Sequence, residues 1–333
     1  MPKHVLIVGT GSIGERHLRC FQSLPGVEVA ACEPNATLAA TIAERYGCPV
    51  YPSLDEAQAA PAPFDAAVIC TPAHTHIPIA LRLFEAGLHL LIEKPLAVTE
   101  EGIDALRCAA KERSGQVIRI AYVQHCNLVL LKLRELMAEA NLGLPKQITY
   151  LGGQHFPTFR PAYREIYYAR HESGGGAIQD ALTHSVNAVE WLAQSPIVAL
   201  FAHADHQVLD GVEVEDTVNL TARLANKALA SFSINQFQAP NEQTFTFHFE
   251  KGSLRSETHN RRVGIFRHGE SDWTWHPVPT EERDSQFTRQ AAMFLDAIDG
   301  KETPLATLEE GIQTLRVNIA ALKSVRTRSE IVL

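Results

Sequence analysis

The sequence predicts an α/β protein with two domains: a doubly wound parallel sheet at the N-terminus and a C-terminal α/β domain with a large, mostly antiparallel open sheet. In the first third of the chain, short and wholly apolar runs alternate with helical patterns, which indicates parallel strands covered on both faces. The later part contains consecutive runs with strand-like alternation, which indicates antiparallel pairing. The length of 333 residues allows two packed domains.

The N-terminal domain is predicted from five apolar runs with helices between them. The predicted strands are His4–Val8, Val27–Cys32, Ala66–Cys70, Leu88–Ile92 and Val117–Ala121. The first predicted helix contains Ile13, His17, Leu18 and Phe21, and the others are Ala36–Tyr46, Ile77–Ala86 and Glu100–Arg113. The last strand ends near Tyr122, so we assign residues 1–122 to the first domain and residues 123–333 to the second.

The C-terminal domain is predicted to combine helices with consecutive strands. The predicted helices are Leu128–Ala140, Ala177–Ala193, Ser285–Asp299 and Thr307–Val325. The predicted strands are Ile148–Gly153, Val198–Ala204, Thr217–Arg223, Ala228–Asn235, Thr244–Phe249 and Gly264–His268. Short turns such as Asn226-Lys227 favour antiparallel neighbours.

Composition and charge exclude several classes of protein. The formal net charge of -8 argues against a nucleic-acid-binding surface, because phosphate binding requires a basic face. No apolar stretch approaches the roughly 20 residues of a membrane helix, so we expect no membrane association. The six cysteines form no CxxC pair and no metal-ligand spacing, which indicates reduced thiols, a cytoplasmic location and no bound metal.

A glycine-rich turn, Gly9-Thr10-Gly11-Ser12-Ile13-Gly14, follows the first predicted strand. In such a GxGxxG the first glycine allows a tight turn, the second lets a pyrophosphate approach the backbone, and the third lets the helix pack on the strand. The spacing predicts a Rossmann domain with the phosphates at the helix N-terminus. The expected cofactor-binding residues of this turn are Gly9, Gly11, Ser12, Ile13 and Gly14.

Glu33 lies at the end of the second predicted strand, about 20 positions beyond the glycines. A carboxylate there accepts hydrogen bonds from ribose hydroxyls and repels a 2′-phosphate. Residues 34–37 contain no arginine or lysine to hold that phosphate. We therefore expect NAD as the cofactor and disfavour NADP. The alternative is that Glu33 is a solvated turn residue.

The loop after Ala66–Cys70 lies where ligands bind in parallel sheets, at the carboxyl end of a strand. Thr71, Pro72 and His76 are expected to line the cofactor. A metal site is the alternative for the His74-x-His76 pair, but no carboxylate or cysteine stands nearby to complete it.

The loop after Leu88–Ile92 reads Glu93-Lys94-Pro95. A lysine at this edge of the sheet is placed to meet the nicotinamide end of the cofactor, and we expect Glu93 and Lys94 to contact it. Taken alone, the two residues would more often form a surface ion pair.

Three glycines, Gly174–Gly176, lead into a predicted helix that carries Asp180 and His184. Residues four apart lie on one face of an α-helix, one turn from each other. The glycines allow backbone and substrate to approach closely. We interpret the pair as catalytic, and the alternative is that both side chains only cap or pack the helix.

The ordered set of motifs resembles the Gfo/Idh/MocA oxidoreductase family, named for glucose-fructose oxidoreductase and inositol dehydrogenase. The matching segments are Gly9–Gly14, Glu93–Pro95 and Gly174–His184, the last in a GGGxxxDxxxH pattern. The resemblance covers essentially the whole chain. It implies an α/β domain whose open sheet often forms an oligomer interface, and hence a homodimer or homotetramer.

The resemblance also implies roles for three residues. Lys94 matches the family lysine beside the reacting carbon, and Asp180 and His184 match the residues that complete the site. In alcohol oxidation we expect His184 to accept the hydroxyl proton and Lys94 to hydrogen-bond the same oxygen. Asp180 is expected to position the substrate or the histidine. Whether Lys94 or His184 takes the proton stays open.

A segment rich in arginine and tyrosine, residues 156–170, precedes the three glycines. Such side chains can clamp a carboxylate or phosphate and stack on a ring, and the equal alternative is a subunit contact or an ordinary loop. Many relatives have an arginine soon after the strand near Tyr122, whereas this chain has Gln124-His125-Cys126-Asn127, so the substrate class stays open. Besides Lys94, Asp180 and His184, the expected substrate-binding residues are Tyr122, Arg160, Tyr163, Arg164 and Tyr167.

These features predict an NAD-dependent dehydrogenase or reductase that acts on a CH–OH group of a sugar, polyol, uronic acid or nucleotide-sugar. An NAD-dependent glycosidase that recycles its cofactor is one alternative. A non-catalytic sensor of dinucleotides or sugars is another, but such relatives typically lack the lysine and histidine that this chain keeps.

Overall fold

The structure is a computed structural model and describes residues 2–333. The chain forms two compact units. The first unit extends to Cys126 and also includes Glu281–Ile312, and the second consists of Asn127–Thr280 and Gln313–Leu333.

The elements follow one another in chain order. The strands are β1 (Lys3–Val8), β2 (Val27–Cys32), β3 (Val50–Tyr51), β4 (Ala66–Ile69), β5 (His89–Ile92), β6 (Ile118–Ile120), β7 (Pro145–Gly153), β8 (Ile197–Asp205), β9 (Thr217–Leu224), β10 (Leu229–Asn235), β11 (Glu242–Phe249), β12 (Gly252–Glu257), β13 (Arg262–Arg267), β14 (Thr274–Pro277), β15 (Ala306–Thr307) and β16 (Ile331–Val332). The α-helices are α1 (Ser12–Gln22), α2 (Ala36–Tyr46), α3 (Leu54–Gln58), α4 (His76–Glu85), α5 (Ile103–Glu112), α6 (Leu128–Glu139), α7 (Phe156–Phe159), α8 (Thr183–Ala193), α9 (Ser285–Ile298) and α10 (Leu308–Thr327). A π-helix, Ala177–Leu182, directly precedes α8.

The first unit contains a seven-stranded sheet in the order β15-β6-β5-β4-β1-β2-β3. All neighbours are parallel except β15, which pairs with β6 in the antiparallel sense. The central strands are buried on both faces, as in Val5–Val8 and Ala66–Ile69, because helices cover the sheet on each side. This confirms the predicted doubly wound parallel sheet.

The second unit contains a nine-stranded sheet in the order β14-β13-β12-β11-β7-β10-β9-β8-β16. Among the described strand pairs of this second sheet, only β7–β10 is parallel, which confirms a mostly antiparallel sheet. Strand β9 alternates buried and more exposed residues, so one face packs on the core while the other stays open. The core face carries large side chains such as Tyr150, Phe232 and Phe245, packed with Val186 and Val189 of α8.

The first compact unit is built from two separate segments of the chain. The division from sequence, by contrast, places a single domain boundary after Tyr122. Helix α9 lies in the first unit because Phe294 packs edge-to-face on Phe21 of α1, and Ala291 joins the same core. An ion pair between Arg19 and Asp284 supports this contact at 2.6 Å.

The prediction of one regular helix from Ala177 to Ala193 is wrong in its first turn. Residues 177–182 form the wider π-helix, and α8 begins only at Thr183. The N–H groups of Ala177 and Ile178 at the start of the π-helix are bound by Glu215 rather than left to an α-helical first turn. π-Helical turns are rare and occur often at functional sites.

No helix among residues 2–333 is both long and apolar enough to cross a membrane.

Candidate active site

The turn between β1 and α1 leaves space at a helix N-terminus. Gly9 has φ +83°, and a Cβ on Gly14 would lie 1.9 Å from the Gly9 carbonyl oxygen, so both glycines are required by the fold itself. A Cβ on Gly11 would meet no other atom of residues 2–333 within 4 Å. Open space beside Gly11 therefore adjoins the N-terminus of α1, the end of a helix at which backbone N–H groups bind anions.

Glu33 is held next to this turn. One carboxylate oxygen accepts hydrogen bonds from the Thr10 backbone N–H and hydroxyl, both at 2.9 Å, and the other accepts from the Asn35 N–H at 3.0 Å. Glu33 is therefore an anchored, mostly buried carboxylate at the end of β2 and not a solvated turn residue. This arrangement suits the hydroxyls of an adenosine ribose and disfavours a 2′-phosphate.

His76 is 1% exposed and does not lie open to a ligand. Its Nε2 lies 2.8 Å from the Thr71 carbonyl oxygen, and its Nδ1 lies 3.1 Å from the Pro95 carbonyl oxygen. The imidazole therefore links the loop after β4 to the loop after β5. Thr71 and Pro72, by contrast, are accessible at the same edge of the sheet.

Glu93 is 5% exposed, and both of its carboxylate oxygens are used within the unit. One oxygen lies 2.8 Å from Nε2 of His17 on α1, and the other accepts the backbone N–H of Lys94 at 2.9 Å. Burial raises the pKa of Glu93, but the hydrogen bond and charge of His17 and the neighbouring Lys94 outweigh it and lower the pKa overall. Glu93 is thus a buried carboxylate beside Lys94. His17 was not identified from sequence as its partner.

Lys94 and Tyr122 lie at the ends of β5 and β6. The parallel arrangement of β1, β4, β5 and β6 brings the carboxyl ends of these strands to one edge of the sheet. Lys94 therefore lies at the same edge as the glycine turn. The Lys94–Pro95 peptide bond is cis. Tyr122 is fully buried.

In the second unit, Glu215 organises the start of the π-helix. Its carboxylate accepts the Ile178 N–H at 2.9 Å, and a Cβ on Gly176 would lie 2.6 Å from the same oxygen. The other carboxylate oxygen lies 2.5 Å from Nε2 of His171, and this hydrogen bond raises the pKa of His171. Glu215 was not identified from sequence, because a single acidic residue before a strand carries no local signal.

Asp180 is 2% exposed and meets two residues of the arginine- and tyrosine-rich segment. The Tyr167 hydroxyl donates to its carboxylate at 2.5 Å, and the Arg160 guanidinium lies 3.6 Å away. The charge of Asp180 raises the pKa of Arg160. His184 lies on the first turn of α8 and is partly exposed. The structure thus joins Arg160 and Tyr167 to Asp180.

Tyr163 and Arg164 make their hydrogen bonds at the Asp210 turn. Tyr163 is 1% exposed in a small core, and its hydroxyl donates to the Asp210 carbonyl at 2.8 Å. Arg164 stacks on the Tyr163 ring and donates to the same carbonyl at 2.7 Å. These contacts fasten the segment to the Asp210 turn, so a direct substrate role for Tyr163 has no support within this unit.

No cluster of His, Cys, Asp or Glu side chains suited to a metal ion occurs within residues 2–333. In the His74-x-His76 pair, for which a metal site was the alternative expectation, both ring nitrogens of His76 face backbone carbonyls.

Two family models match the chain. Residues 3–121 match a model described as an oxidoreductase family with an NAD-binding Rossmann fold, and residues 130–255 match the GFO/IDH/MocA C-terminal domain.

Named relatives act on sugars and polyols. The chain is 27% identical over 267 residues to the 1,5-anhydro-D-fructose reductase of Ensifer adhaerens, covering 79% of this chain and 78% of the relative. It is 26% identical over 305 residues to an inositol 2-dehydrogenase of Corynebacterium glutamicum, covering 88% and 84%. Among solved structures, a levoglucosan dehydrogenase in complex with NADH superimposes with a TM-score of 0.87 at 21% identity, covering 100% of this chain and 99% of the other. At that identity the structural similarity shows the fold.

Proposed function

This chain belongs to the GFO/IDH/MocA family of NAD-binding oxidoreductases, and from that premise we propose that it is a dehydrogenase or reductase for a neutral sugar or polyol. The reaction takes place at a CH–OH group or the corresponding carbonyl. The preferred cofactor is NAD rather than NADP, which is supported by the anchored carboxylate of Glu33 and by the absence of arginine and lysine at residues 34–37.

The observation that supports a neutral substrate is the pairing of Arg160 with Asp180. An acidic sugar or a nucleotide-sugar would need a cation to bind its carboxylate or phosphate. Arg160 already balances the charge of Asp180, and Arg164 is bound to a backbone carbonyl. We therefore favour a neutral polyhydroxylated compound over the uronic acids and nucleotide-sugars. The names of the anhydrofructose reductase, inositol dehydrogenase and levoglucosan dehydrogenase relatives agree with this choice. The name of another relative, a UDP-N-acetylglucosamine 3-dehydrogenase that is 31% identical over 48% of this chain, does not.

The roles of individual residues follow from their motifs and from their surroundings within each unit. Gly11, Ser12 and the following N–H groups would hold the pyrophosphate of NAD, and Glu33 would accept hydrogen bonds from its ribose. The dinucleotide held by these residues would supply the hydride-transfer chemistry at the substrate carbon. Lys94 donates a hydrogen bond to the reacting oxygen, where a positive charge stabilises developing negative charge. His184 accepts the hydroxyl proton in the oxidative direction.

Asp180 is proposed as a substrate-positioning residue together with Tyr167 and Arg160. A carboxylate accepts hydrogen bonds from sugar hydroxyls, and Tyr167 and Arg160 hold this one in place. Lys94 is the alternative to His184 as proton acceptor, and the pH profiles of Lys94→Met and His184→Gln in the oxidative direction distinguish them: the acidic limb of kcat/KM, in which the acceptor becomes protonated, disappears in the variant that lacks the acceptor.

The test is turnover with NAD⁺ across a panel of polyols, free sugars, uronic acids and nucleotide-sugars, followed by the absorbance of NADH. We expect activity with a neutral compound, its loss in Lys94→Ala, and its retention in Lys111→Ala, a surface control on α5. Activity confined to acidic compounds would contradict the substrate class. Full turnover in Lys94→Ala would contradict the catalytic assignment, and release of aglycone without net NADH would indicate a cofactor-recycling glycosidase. NADH binding without turnover across the whole panel would indicate a sensor.

We further propose that residues 1–122 bind the dinucleotide and residues 123–333 bind substrate and form a homodimer or homotetramer through the open face of the second sheet. Leu151 and Leu229 are exposed on that sheet, which supports an interface there. A single monomer mass in light scattering would contradict it. A cytoplasmic location is supported by six free cysteines, five of them buried, and cell fractionation tests it.

A further inference from the structure

Lys94 is flanked by two residues whose positions are each set by a buried histidine. On its N-terminal side, Glu93 binds Nε2 of His17 at 2.8 Å, and the same carboxylate receives the Lys94 backbone N–H at 2.9 Å. His17 is fully buried on α1, so Glu93 connects the dinucleotide-binding helix to the residue proposed for catalysis.

On the C-terminal side, the Pro95 carbonyl lies 3.1 Å from Nδ1 of His76, and the Thr71 carbonyl lies 2.8 Å from Nε2 of the same ring. Burial lowers the pKa of His76, although the two carbonyls oppose this effect. Both ring nitrogens thus face a carbonyl oxygen, so the imidazole connects the loop after β4 to the loop after β5.

The burial of these groups argues against direct ligand binding. A charged carboxylate and two histidines inside a protein cost desolvation energy, and apolar residues of similar size would often give equal or greater stability. Their contacts are concentrated on residues 93–95. The sequence predicts that Glu93 and His76 contact the cofactor, and their side chains contact the backbone around Lys94.

We propose that His17, Glu93 and His76 are positioning residues that fix the backbone on both sides of Lys94. The proposal rests on the proposed function, in which the Lys94 ammonium donates to the reacting oxygen. Through His76 the same set ties Lys94 to Thr71, which lines the expected cofactor site. Errors of about 1 Å in the placement of a catalytic group reduce turnover by about 100-fold, so a loosened backbone at Lys94 lowers kcat even when the lysine itself is present.

The first experiment measures hydrogen–deuterium exchange at the peptide that contains Lys94, in the protein without substrate. His17→Leu removes the donor to Glu93, whereas the amide of His17→Gln can replace it. His89→Leu is the matched control, because His89 lies at the opposite end of β5 and binds the Val117 N–H. We expect exchange at Lys94 to rise about tenfold in His17→Leu, with partial recovery in His17→Gln and no change in His89→Leu.

The second experiment compares kinetics and NADH binding in the same variants and in Glu93→Gln and His76→Gln. We expect kcat to fall about 100-fold in His17→Leu and to recover in His17→Gln, while KM and the Kd for NADH from fluorescence titration stay within about twofold of the wild type. Thermal unfolding identifies any variant that does not fold. Glu93→Gln, which keeps the shape of the side chain, is then used instead of that variant.

Several outcomes overturn the proposal. Unchanged exchange at Lys94 in His17→Leu, Glu93→Gln and His76→Gln would show that these side chains do not fix its backbone. Equal losses of kcat in His17→Leu and His17→Gln, accompanied by a general rise in exchange, would show a purely structural role. If the wild type turns over no compound of the panel, the proposed function fails, while the exchange experiment still tests the positioning of Lys94.

Discussion

Gly11→Ala and Gly14→Ala add the same methyl group at two positions of one loop with opposite surroundings. At Gly14 the new Cβ would lie 1.9 Å from the Gly9 carbonyl oxygen and 2.9 Å from its carbonyl carbon. At Gly11 it would enter open space, and the φ of -58° suits any residue. The first substitution should therefore disturb folding, and the second should disturb only a ligand.

The magnitudes follow from these distances. Helix α1 cannot keep its position on β1 in Gly14→Ala, and such overpacking costs about 1–3 kcal/mol of unfolding free energy, or more because the clash is with backbone. Each kcal/mol lowers the Tm of a unit of this size by roughly 2–4 °C. In Gly11→Ala the weaker helix cap is offset by the lower entropy of the unfolded chain, so stability should change by less than about 1 kcal/mol.

The assay combines thermal unfolding with a fluorescence titration of NADH. A methyl group in the space for the pyrophosphate should raise the Kd for NADH by about 10–100-fold in Gly11→Ala, which corresponds to about 1.4–2.8 kcal/mol. Gly115→Ala is the control, because that glycine also faces open space but lies far along the chain from the loop. Wild-type affinity for NADH in Gly11→Ala would refute the placement of the pyrophosphate at this helix.

Three further predictions concern single side chains. Tyr167→Phe removes the hydrogen-bond donor to Asp180 and should lower kcat/KM by about tenfold in steady-state assays, while the Tm falls by less than about 3 °C. An unchanged kcat/KM would show that Tyr167 has no part in substrate binding. Glu33→Ala should raise the Kd for NADH and reduce the preference for NADH over NADPH by about tenfold in fluorescence titrations, and an unchanged preference would contradict the role of Glu33. The pKa of His171 is raised by Glu215, so the stability that the shift adds is present just below the ordinary pKa of histidine and is lost as pH rises through the folded-state pKa. NMR titration should show that pKa returning towards its ordinary value in Glu215→Gln, and no difference between the two proteins would contradict the pairing.

The parts of the fold that depend on local pattern could be predicted from sequence. The apolar runs that became β1, β2, β4 and β5 are buried on both faces, and burial of that kind leaves an unbroken hydrophobic signal. The glycine turn and the acid at the end of β2 have a spacing set by the βαβ unit itself. Strands β3, β15 and β16, with two residues each, are too short to carry any period and form only because a neighbouring strand is present.

The contacts that organise the candidate sites lie beyond local pattern. His17 and Glu93 are 76 positions apart, and Ile178 and Glu215 are 37 apart, so no window of sequence contains both partners. Tyr163 and Tyr167 illustrate the same limit. They lie in one segment of similar composition, but one is buried against the Asp210 turn and the other binds Asp180. Their different roles depend on the tertiary fold.

The interrupted path of the chain through its two units has a consequence for genetic recombination of this protein. The polypeptide passes from one unit to the other after Cys126, after Thr280 and after Ile312. A gene fragment that stops at Cys126 would lack α9, expose Phe21 and leave β6 without β15 at the edge of its sheet. Exchange of the whole second unit between relatives would therefore succeed only as a graft of two separate segments, with α9 and β15 kept from the recipient.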